Sequence, residues 1–419
     1  MLLRPLALIG VLCLTPPTFA QAPSADLDQN VFHTAVGHAP SEPTEAPNGV
    51  QIEGSLTGLV QQAQRSALDD PATSSNRANF RGDVTVTLPG GRFGVNQGKV
   101  FLHARLGQGE GLALRPTYTC TTNSTTFTGN NPDDIQIALA QAWYQLDMPL
   151  GNAGAPKAVV TLGKIDPFGF FDQNAVADDE TRGFANNVFV HNPLLDSGGD
   201  LGADRFGFSP GAIAAYENES DPAMPWGISV GVFGSGNNTN FNARSGKPFV
   251  LAQAWASTQI QAQPGTYRAY VWRNPRGTDF DGTEAGHSGI GLSIDQRVSD
   301  TLTLFARYGH QTAGRVLFDD ALTLGGELSG SSWGRENDGL GFAWGLLRTS
   351  GHFAAASAAD TATYGHAAGG SEQITEVFYR LQLNDHVEIT PSIQHIARPA
   401  ANPGTSGMTV LGLRVRVGF

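Results

Sequence analysis

Residues 411–419, LGLRVRVGF, alternate without exception between two kinds of side chain. Leucine, valine and phenylalanine occupy the odd-numbered positions, and glycine and arginine occupy the even-numbered ones. Because successive side chains of a β-strand point to opposite faces, one face of this segment is wholly apolar and the other is small or cationic. The segment therefore predicts a strand that separates an apolar environment from a wet one.

The same period of two recurs through most of the chain. In residues 80–88, FRGDVTVTL, apolar side chains alternate with Arg81, Asp83 and two threonines. Comparable alternation occurs at 100–106, 226–232, 290–294, 302–309, 340–346 and 376–383, and weaker candidates lie at 135–146 and 267–272. This regularity predicts an all-β chain of antiparallel strands.

Composition excludes several classes of protein. Of the 419 residues, 52 are glycine without a collagen repeat, 40% are hydrophobic and only 15% are charged, which argues against a disordered chain. The net charge of −12 argues against a nucleic-acid-binding protein. Beyond the N-terminal segment, no apolar run reaches the roughly 18 residues of a membrane-spanning helix. A glycine-rich β-protein remains, either a soluble solenoid or a membrane barrel.

The N-terminal part of the chain differs from the rest. Arg4 precedes an apolar run that ends in a small-residue cleavage site, so we expect a signal peptide over residues 1–22. Residues 23–79 are expected to form a proline-containing linker and then a short amphipathic helix at Leu56–Leu68, where apolar residues recur at helical spacing. The β-barrel is expected to span residues 80–419.

Several features favour a transmembrane barrel over a soluble β-protein. The less apolar face of the strands is mostly glycine, hydroxyl and charge, which suits a wet lumen, and aromatic residues such as Phe80 and Trp226 lie near strand ends. Tight turns such as Ser299–Asp300 alternate with long polar stretches, as periplasmic turns alternate with outer loops. Phe419 is typical of the assembly signal of bacterial outer-membrane barrels. We therefore expect outer-membrane lipid and the barrel-assembly machinery as partners.

Two groups of motifs resemble the carbohydrate-selective porins of the OprB family. The first is GKIDP at 163–167, FDQN at 171–174 and FVHNP at 189–193. The second is the segment 376–394, followed by the terminal strand. The resemblance covers roughly residues 80–419, and the segment before residue 80 departs from the family. It implies a transmembrane antiparallel β-barrel of about 16 strands, for which the chain has room at about ten residues a strand, and a porin that passes sugars by diffusion.

A sugar pore needs polar groups that replace water on the hydroxyl groups and still release the sugar. Arginine suits this role, because its planar fork can bridge two adjacent hydroxyl groups. The inward-facing candidates on the strands are Arg81, Arg105, Arg307, Arg380, Arg414 and Arg416. The alternative for each is a structural ion pair with a carboxylate such as Asp83 or Glu376.

The segment from Ile165 to Phe208 lacks alternation and is too long for an ordinary connection. Its polar residues and phenylalanines predict an inward constriction loop that sets sugar preference, and a loop that only covers the outer mouth is the alternative. The candidate sugar-binding residues in and beside it are Lys164, Asp172, Asn174, Asp179, Glu180, Arg182 and Asn192. We expect no cofactor, and a calcium site at Asp178, Asp179 and Glu180 is a minor alternative to an acidic cluster that is solvated or paired with arginine.

Other functions find less support in the sequence. GHSGI at 286–290 lacks the final glycine of a nucleophile elbow, and GQGEG at 107–111 lacks the spacing of a dinucleotide-binding loop. We therefore do not expect an enzyme. A polysaccharide exporter and a general porin remain alternatives, because each would also use a barrel lined by arginine and acids. The sequence does not indicate the oligomeric state.

Overall fold

The computed structural model describes residues 48–118, 121–151, 156–196, 199–236, 239, 241 and 247–419. The predicted signal peptide and almost all of the predicted linker lie outside these residues. Within them the chain forms sixteen β-strands. The strands are β1 Gln51–Ala63, β2 Asn76–Phe93, β3 Asn96–Gly109, β4 Gln136–Pro149, β5 Lys157–Ile165, β6 Ser209–Asn218, β7 Trp226–Phe233, β8 Phe249–Ile260, β9 Gln263–Thr278, β10 Glu284–Arg297, β11 Leu302–Ala313, β12 Phe318–Ser329, β13 Gly339–Thr349, β14 Ser371–Gln382, β15 Val387–Ala397 and β16 Met408–Gly418.

The helical elements of the described residues are short. The α-helices are α1 Asn187–Val190, α2 Gly351–Ala359 and α3 Thr361–Tyr364, and single 3-10 turns occur at Arg65–Ala67, Pro167–Gly169, Gly330–Trp333 and Pro399–Ala401. None of these helices has the length and apolar character needed to cross a membrane.

The strands close into a single antiparallel barrel. Each strand pairs with its neighbours in sequence, and β1 pairs with β16 in a register that places Ser55 opposite Gly418. Two backbone hydrogen bonds between Gly54 and Phe419, of 3.0 and 2.9 Å, extend this seam. Closure pairs the backbone of every strand on both sides, which strands in hydrocarbon require. The predicted antiparallel barrel of sixteen strands is confirmed.

The helix predicted at Leu56–Leu68 is wrong, because β1 occupies Gln51–Ala63. Exposure alternates along this strand, so that Leu56 is 48% exposed whereas Leu59 is 1% exposed. Apolar residues on both faces of the strand produced the spacing of three and four that resembles a helix. The barrel therefore begins at Gln51, and the predicted boundary at residue 80 is too late.

The barrel is apolar on its exposed face and polar on its buried face. On β2, Val84 is 39% exposed, whereas Arg81 and Asp83 are 1% exposed. On β16, Leu411 is 51% exposed and Arg414 is 2% exposed. Burial here means that a side chain faces the inside of the barrel, so the wall reverses the pattern of a soluble protein, as a lipid-facing barrel requires.

The two ends of the barrel carry connections of different length. At the end where β1 begins, β2 and β3 are joined through residues 94–95 and β8 and β9 through 261–262. At the other end the connections include residues 110–135, 166–208 and 350–370. In outer-membrane barrels the short turns face the periplasm and the longer loops face outward.

Residues 166–208, hereafter the long connection, leave the wall where Ile165 lies opposite Ser209. The connection bonds to inward-facing side chains on strands as far apart as β2, β9, β11, β14 and β15. Its Phe184 packs against Phe305 of β11 and Phe378 of β14, with ring centroids 5.8 and 5.0 Å away. Both polar and apolar contacts therefore seat the connection against the inner face of the wall.

Candidate functional site

Asp172 is the centre of a buried hydrogen-bond network within the long connection. Its Oδ1 accepts from Arg307 Nε at 2.9 Å and from the Tyr270 hydroxyl at 2.6 Å, while its Oδ2 accepts from the backbone N–H of Asn192 at 2.6 Å. The φ of Asp172 is 59°, in the left-handed region that Asp visits more readily than most residues. Because each lost bond would leave a buried partner unpaired, this network fixes the path of the backbone.

Arg307 holds the long connection through all three of its side-chain nitrogens. Besides bonding the Asp172 carboxylate, it donates to the carbonyl oxygens of Phe189, Asp172 and Ala177 at 2.8, 3.0 and 2.7 Å. Its side chain is 1% exposed. A guanidinium that is enclosed and bonded in this way acts as an anchor.

Two asparagines of the long connection are bound in the same manner. Asn174 Nδ2 donates to Ser293 Oγ on β10 at 3.2 Å. Asn192 Nδ2 donates to the Tyr270 hydroxyl at 2.8 Å, and its Oδ1 accepts from the Leu194 N–H at 3.0 Å. Both side chains are buried. They join the connection to the wall and shape its turns.

A charged network joins β2 and β3 to the long connection. Arg81 donates from Nε to Asp83 Oδ2 at 2.8 Å and from Nη1 to Glu180 Oε1. Asp83 Oδ1 also accepts from Arg105 Nε at 2.6 Å and lies 2.8 Å from His103 Nε2. Burial alone would raise the pKa of Glu180, but Arg81 and Arg105 lower it below its ordinary value. The Glu180 carboxylate therefore stays ionised.

A second charged group joins Arg182 of the long connection to side chains of β12 and of β14 to β16. Arg182 donates from Nε to the two Glu388 oxygens at 3.0 and 3.2 Å. Arg416 Nη1 lies 4.0 Å from the same carboxylate. Arg380 donates from Nη1 and Nη2 to the two oxygens of Glu327 at 3.1 and 2.5 Å. These arginines and carboxylates face the interior of the barrel.

Lys164 belongs to neither group. Its Nζ donates to the backbone oxygen of Leu139 at 3.0 Å and pairs with Asp204 Oδ2 at 2.9 Å. The ammonium also lies 5.6 Å from the centroid of the Phe208 ring. Lys164 thereby joins β5 to the far end of the long connection.

The three adjacent acids of the long connection point to different partners. Asp178 Oδ1 lies 3.5 Å from His191 Nδ1. Asp179 Oδ1 accepts from the N–H and the hydroxyl of Thr181 at 2.8 and 2.6 Å, and Glu180 pairs with an arginine of β2. Within the described ranges, no group of three or more His, Cys, Asp or Glu is placed to hold a metal ion.

His191 carries positive charge inside this acidic segment. Burial alone would lower its pKa, but Asp178, Asp196 and Asp166 raise it to about 9. Burial raises the pKa of Asp166 to about 6. The imidazole ring stacks on Phe168 at 3.9 Å with an interplanar angle of 4°. His191 is therefore cationic at neutral pH, although the sequence analysis did not single it out.

Glu376 and Glu388 are two inward-facing acids whose partners sequence reasoning did not find. Glu376 accepts from the backbone N–H groups of Ala185 and Asn186 at 2.8 and 2.9 Å, so it holds the start of α1. It therefore does not make the close arginine pair that the sequence suggested for it. Alternation along β14 and β15 places both acids on the inward face. This alternation was the signal in the sequence that could have identified them as residues of the site. Their partners are remote in sequence.

Comparison with known proteins assigns the family. A model of the carbohydrate-selective porins of the OprB family matches residues 136–419, which is more than half of the chain and includes every resembling motif. The chain belongs to this family. As an OprB-family member it is a carbohydrate porin of the bacterial outer membrane, as the sequence predicted. No curated protein sequence matches the chain.

Solved porin structures share the fold of this OprB-family chain. The high-pH structure of OprB from Pseudomonas putida gives a TM-score of 0.71 at 15% identity and covers 88% of this chain and 94% of that one. The outer-membrane channel DcaP of Acinetobacter baumannii gives 0.53 at 12% identity, with coverage of 92% and 100%. A mutant Rh. blastica porin gives 0.51 at 15% identity, with coverage of 88% and 100%. Such low identity shows the fold alone.

The predicted sugar-binding residues of this OprB-family porin divide into two groups by exposure. One group is partly exposed, with side chains 11% to 28% accessible: Arg105, Lys164, Glu180, Arg182 and Arg380. The other group is buried: Arg81, Asp172, Asn174, Asp179, Asn192 and Arg307. The side chains of the first group are therefore accessible to solvent. Those of the second group instead hold the long connection in place or are enclosed by it.

Proposed function

We propose that sugars diffuse along the long connection by exchanging water for the partly exposed charged side chains beside it. The observation that supports this proposal is the pairing of these side chains. The four pairs are Arg105 with Asp83, Lys164 with Asp204, Arg182 with Glu388 and Arg380 with Glu327. Each pair offers donors and acceptors for hydroxyl groups while its own charges largely cancel.

Pairing also suits the weak binding that a channel needs. A site that holds a sugar at millimolar affinity supplies about 4 kcal/mol, which a few net hydrogen bonds provide. A guanidinium already bonded to a carboxylate keeps some donors free for hydroxyl groups, but its strongest interaction is satisfied. A sugar can therefore replace water at such a pair and leave again, as conduction requires.

We further propose that the long connection narrows the pore. Buried bonds of Asp172, Arg307 and Asn192 hold the connection between residues 172 and 192, and Glu376 holds the start of α1. Such anchoring lets the connection keep its position while solute passes. The partly exposed Glu180 and Arg182 lie between these anchors and face the paired charges of the wall.

Shortening the connection tests this proposal. A variant that lacks most of residues 172–196 should show higher single-channel conductance in planar bilayers. In proteoliposome swelling it should discriminate less between monosaccharides and larger sugars. Removal of residues 352–364, in the connection between β13 and β14, is the matched control. Unchanged conductance and unchanged sugar discrimination in the first variant would contradict the constriction.

A point substitution tests the side chains themselves. Arg182→Ala should alter the block of ion current by glucose without abolishing conduction, because the residue is partly exposed and the barrel does not depend on it. Sugar flux through the purified protein alone also separates a porin from an exporter, which would need a periplasmic partner. An unaltered glucose block in Arg182→Ala would remove Arg182 from the sugar path.

A further inference from the structure

One carboxylate in the interior serves two arginines. Glu388 accepts two bonds from Arg182 Nε and one from its Nη2, and Arg416 Nη1 lies 4.0 Å away from it. The Arg182 and Arg416 side chains are 28% and 21% exposed. In the four pairs described above, each cation has a close carboxylate partner. In the Arg182–Glu388–Arg416 group two guanidiniums instead share one close carboxylate, so Arg416 is the cation that has no close carboxylate of its own.

The neighbouring charges do not supply a close partner for this cation. Arg416 lies directly opposite Glu388 and Thr57 in the sheet register, and its Nε has no hydrogen-bond partner among the described residues. The nearby acid Asp179 is directed at Thr181 and forms no ion pair with either guanidinium of the group. Burial and then Glu180 raise the pKa of Asp179, whereas Arg416 acts to lower it, so Asp179 lies within electrostatic range of Arg416 without a close contact.

Arg414, the next inward-facing arginine on β16, also has no close carboxylate among the described residues, although Asp179 and Glu376 lie within electrostatic range of it. It donates from Nη1 to the backbone oxygen of Glu180 and from Nη2 to that of Gly183, both at 2.9 Å. Carbonyl oxygens satisfy its hydrogen bonds but do not neutralise its charge. Around Arg416 the guanidiniums of Arg182, Arg414 and Arg416 therefore outnumber the carboxylates in close contact with them.

We propose that Arg182 and Arg416 form a subsite for the carboxylate group of an acidic sugar, such as a hexuronate. A carboxylate matches the planar fork of a guanidinium, and its negative charge complements the two guanidiniums that share Glu388. The hydroxyl groups of the same sugar would meet the paired side chains nearby. This inference rests on the proposed sugar path and adds a preference for acidic sugars to it.

The test compares glucuronate, glucose and acetate on the full-length porin in planar bilayers. We expect glucuronate to block the ion current at a concentration several-fold lower than glucose or acetate does. The glucuronate-to-glucose ratio is here the ratio of blocking strengths, each taken as the reciprocal of the concentration that blocks half of the ion current. Arg416→Gln should reduce this ratio about tenfold, which is the effect of losing one ion pair of about 1.4 kcal/mol. Glu388→Gln should raise this ratio, because it removes the competing carboxylate.

Two controls make the result specific. Arg268→Gln removes the same charge from a one-to-one pair with Asp295, where the partners lie 2.7 Å apart, and should leave the ratio nearly unchanged. Arg416→Lys keeps the charge and should retain most of the preference even if Arg416→Gln assembles poorly. An equal fall of the glucuronate-to-glucose ratio in Arg416→Gln and Arg268→Gln would overturn the subsite. Equal block of the current by acetate and glucuronate would overturn it as well. If glucose itself does not pass, the proposed sugar path fails instead.

Discussion

Tyr270 provides the most direct test of how the long connection is held. Its hydroxyl donates to Asp172 Oδ1 at 2.6 Å and accepts from Asn192 Nδ2 at 2.8 Å. Tyr270→Phe removes this one oxygen and leaves the ring in place. Asp172 then loses a donor, and the Asn192 amide loses an acceptor inside a buried site. The barrel strands keep all of their backbone pairing.

The expected cost follows from these two bonds. A hydrogen bond to a charged group contributes about 1.5–3 kcal/mol and a neutral one about 0.5–1.5 kcal/mol. Their joint loss should destabilise the seated connection by about 2–4 kcal/mol. Since each 1.4 kcal/mol is a factor of ten, the population with a released connection should rise roughly 30-fold to several hundredfold.

Hydrogen–deuterium exchange of the protein in detergent measures this release. Amides of residues 172–192 should lose protection in Tyr270→Phe, whereas strand amides should keep theirs. Tyr267→Phe is the matched control, because this tyrosine lies on the same strand and its hydroxyl donates to Gln296 Oε1 at 2.6 Å. Equal protection of residues 172–192 in the two variants would refute the assignment of Tyr270 and Asp172 as anchors.

Two further predictions concern pH and assembly. The pKa of His191 is raised, so its stabilising contribution is complete below about pH 6.5 and is lost as the pH rises through about 9. The hydrogen-exchange protection factors in the long connection should therefore fall over this pH range. His191→Gln should abolish this pH dependence. Deleting Phe419 removes both backbone hydrogen bonds to Gly54, so we expect less outer-membrane insertion and a smaller fraction of protein that migrates faster unheated than boiled on a gel; normal insertion would contradict the assembly role.

Alternation in the sequence was enough to predict most of the wall. In residues 411–419 and 80–88 each apolar side chain faces outward and each charged side chain faces inward. The lipid contacts one face of a strand and the lumen the other, so the environment of each side chain follows from its position in the alternation and not from the rest of the chain. The same signal failed at Gln51–Ala63, where Leu59 faces inward. A leucine on the inner face broke the period of two and produced helical spacing by coincidence.

The candidate site was predictable as a set of residues but not as a set of roles. Arg81, Arg307 and Arg380 all have the same local signature, a charged residue on the inward face of a strand. In the structure Arg307 is enclosed by carbonyl oxygens, Arg81 by two carboxylates, and Arg380 stays partly exposed beside Glu327. Burial depends on what the long connection places over each arginine, and this contact is remote in sequence.

The sequence alone determined that the chain is an outer-membrane barrel with an apolar exterior and a charged interior, because these properties depend on each strand's own pattern of side chains. Only the tertiary structure decided which charges meet. Glu180 reaches Arg81 and Arg182 reaches Glu388 across 99 and 206 residues of sequence. Closure of the sheet and the path of the long connection set these distances. The physical reason is that strand character is a local property, whereas pairing and exposure of charge depend on which distant segments share the same enclosed space.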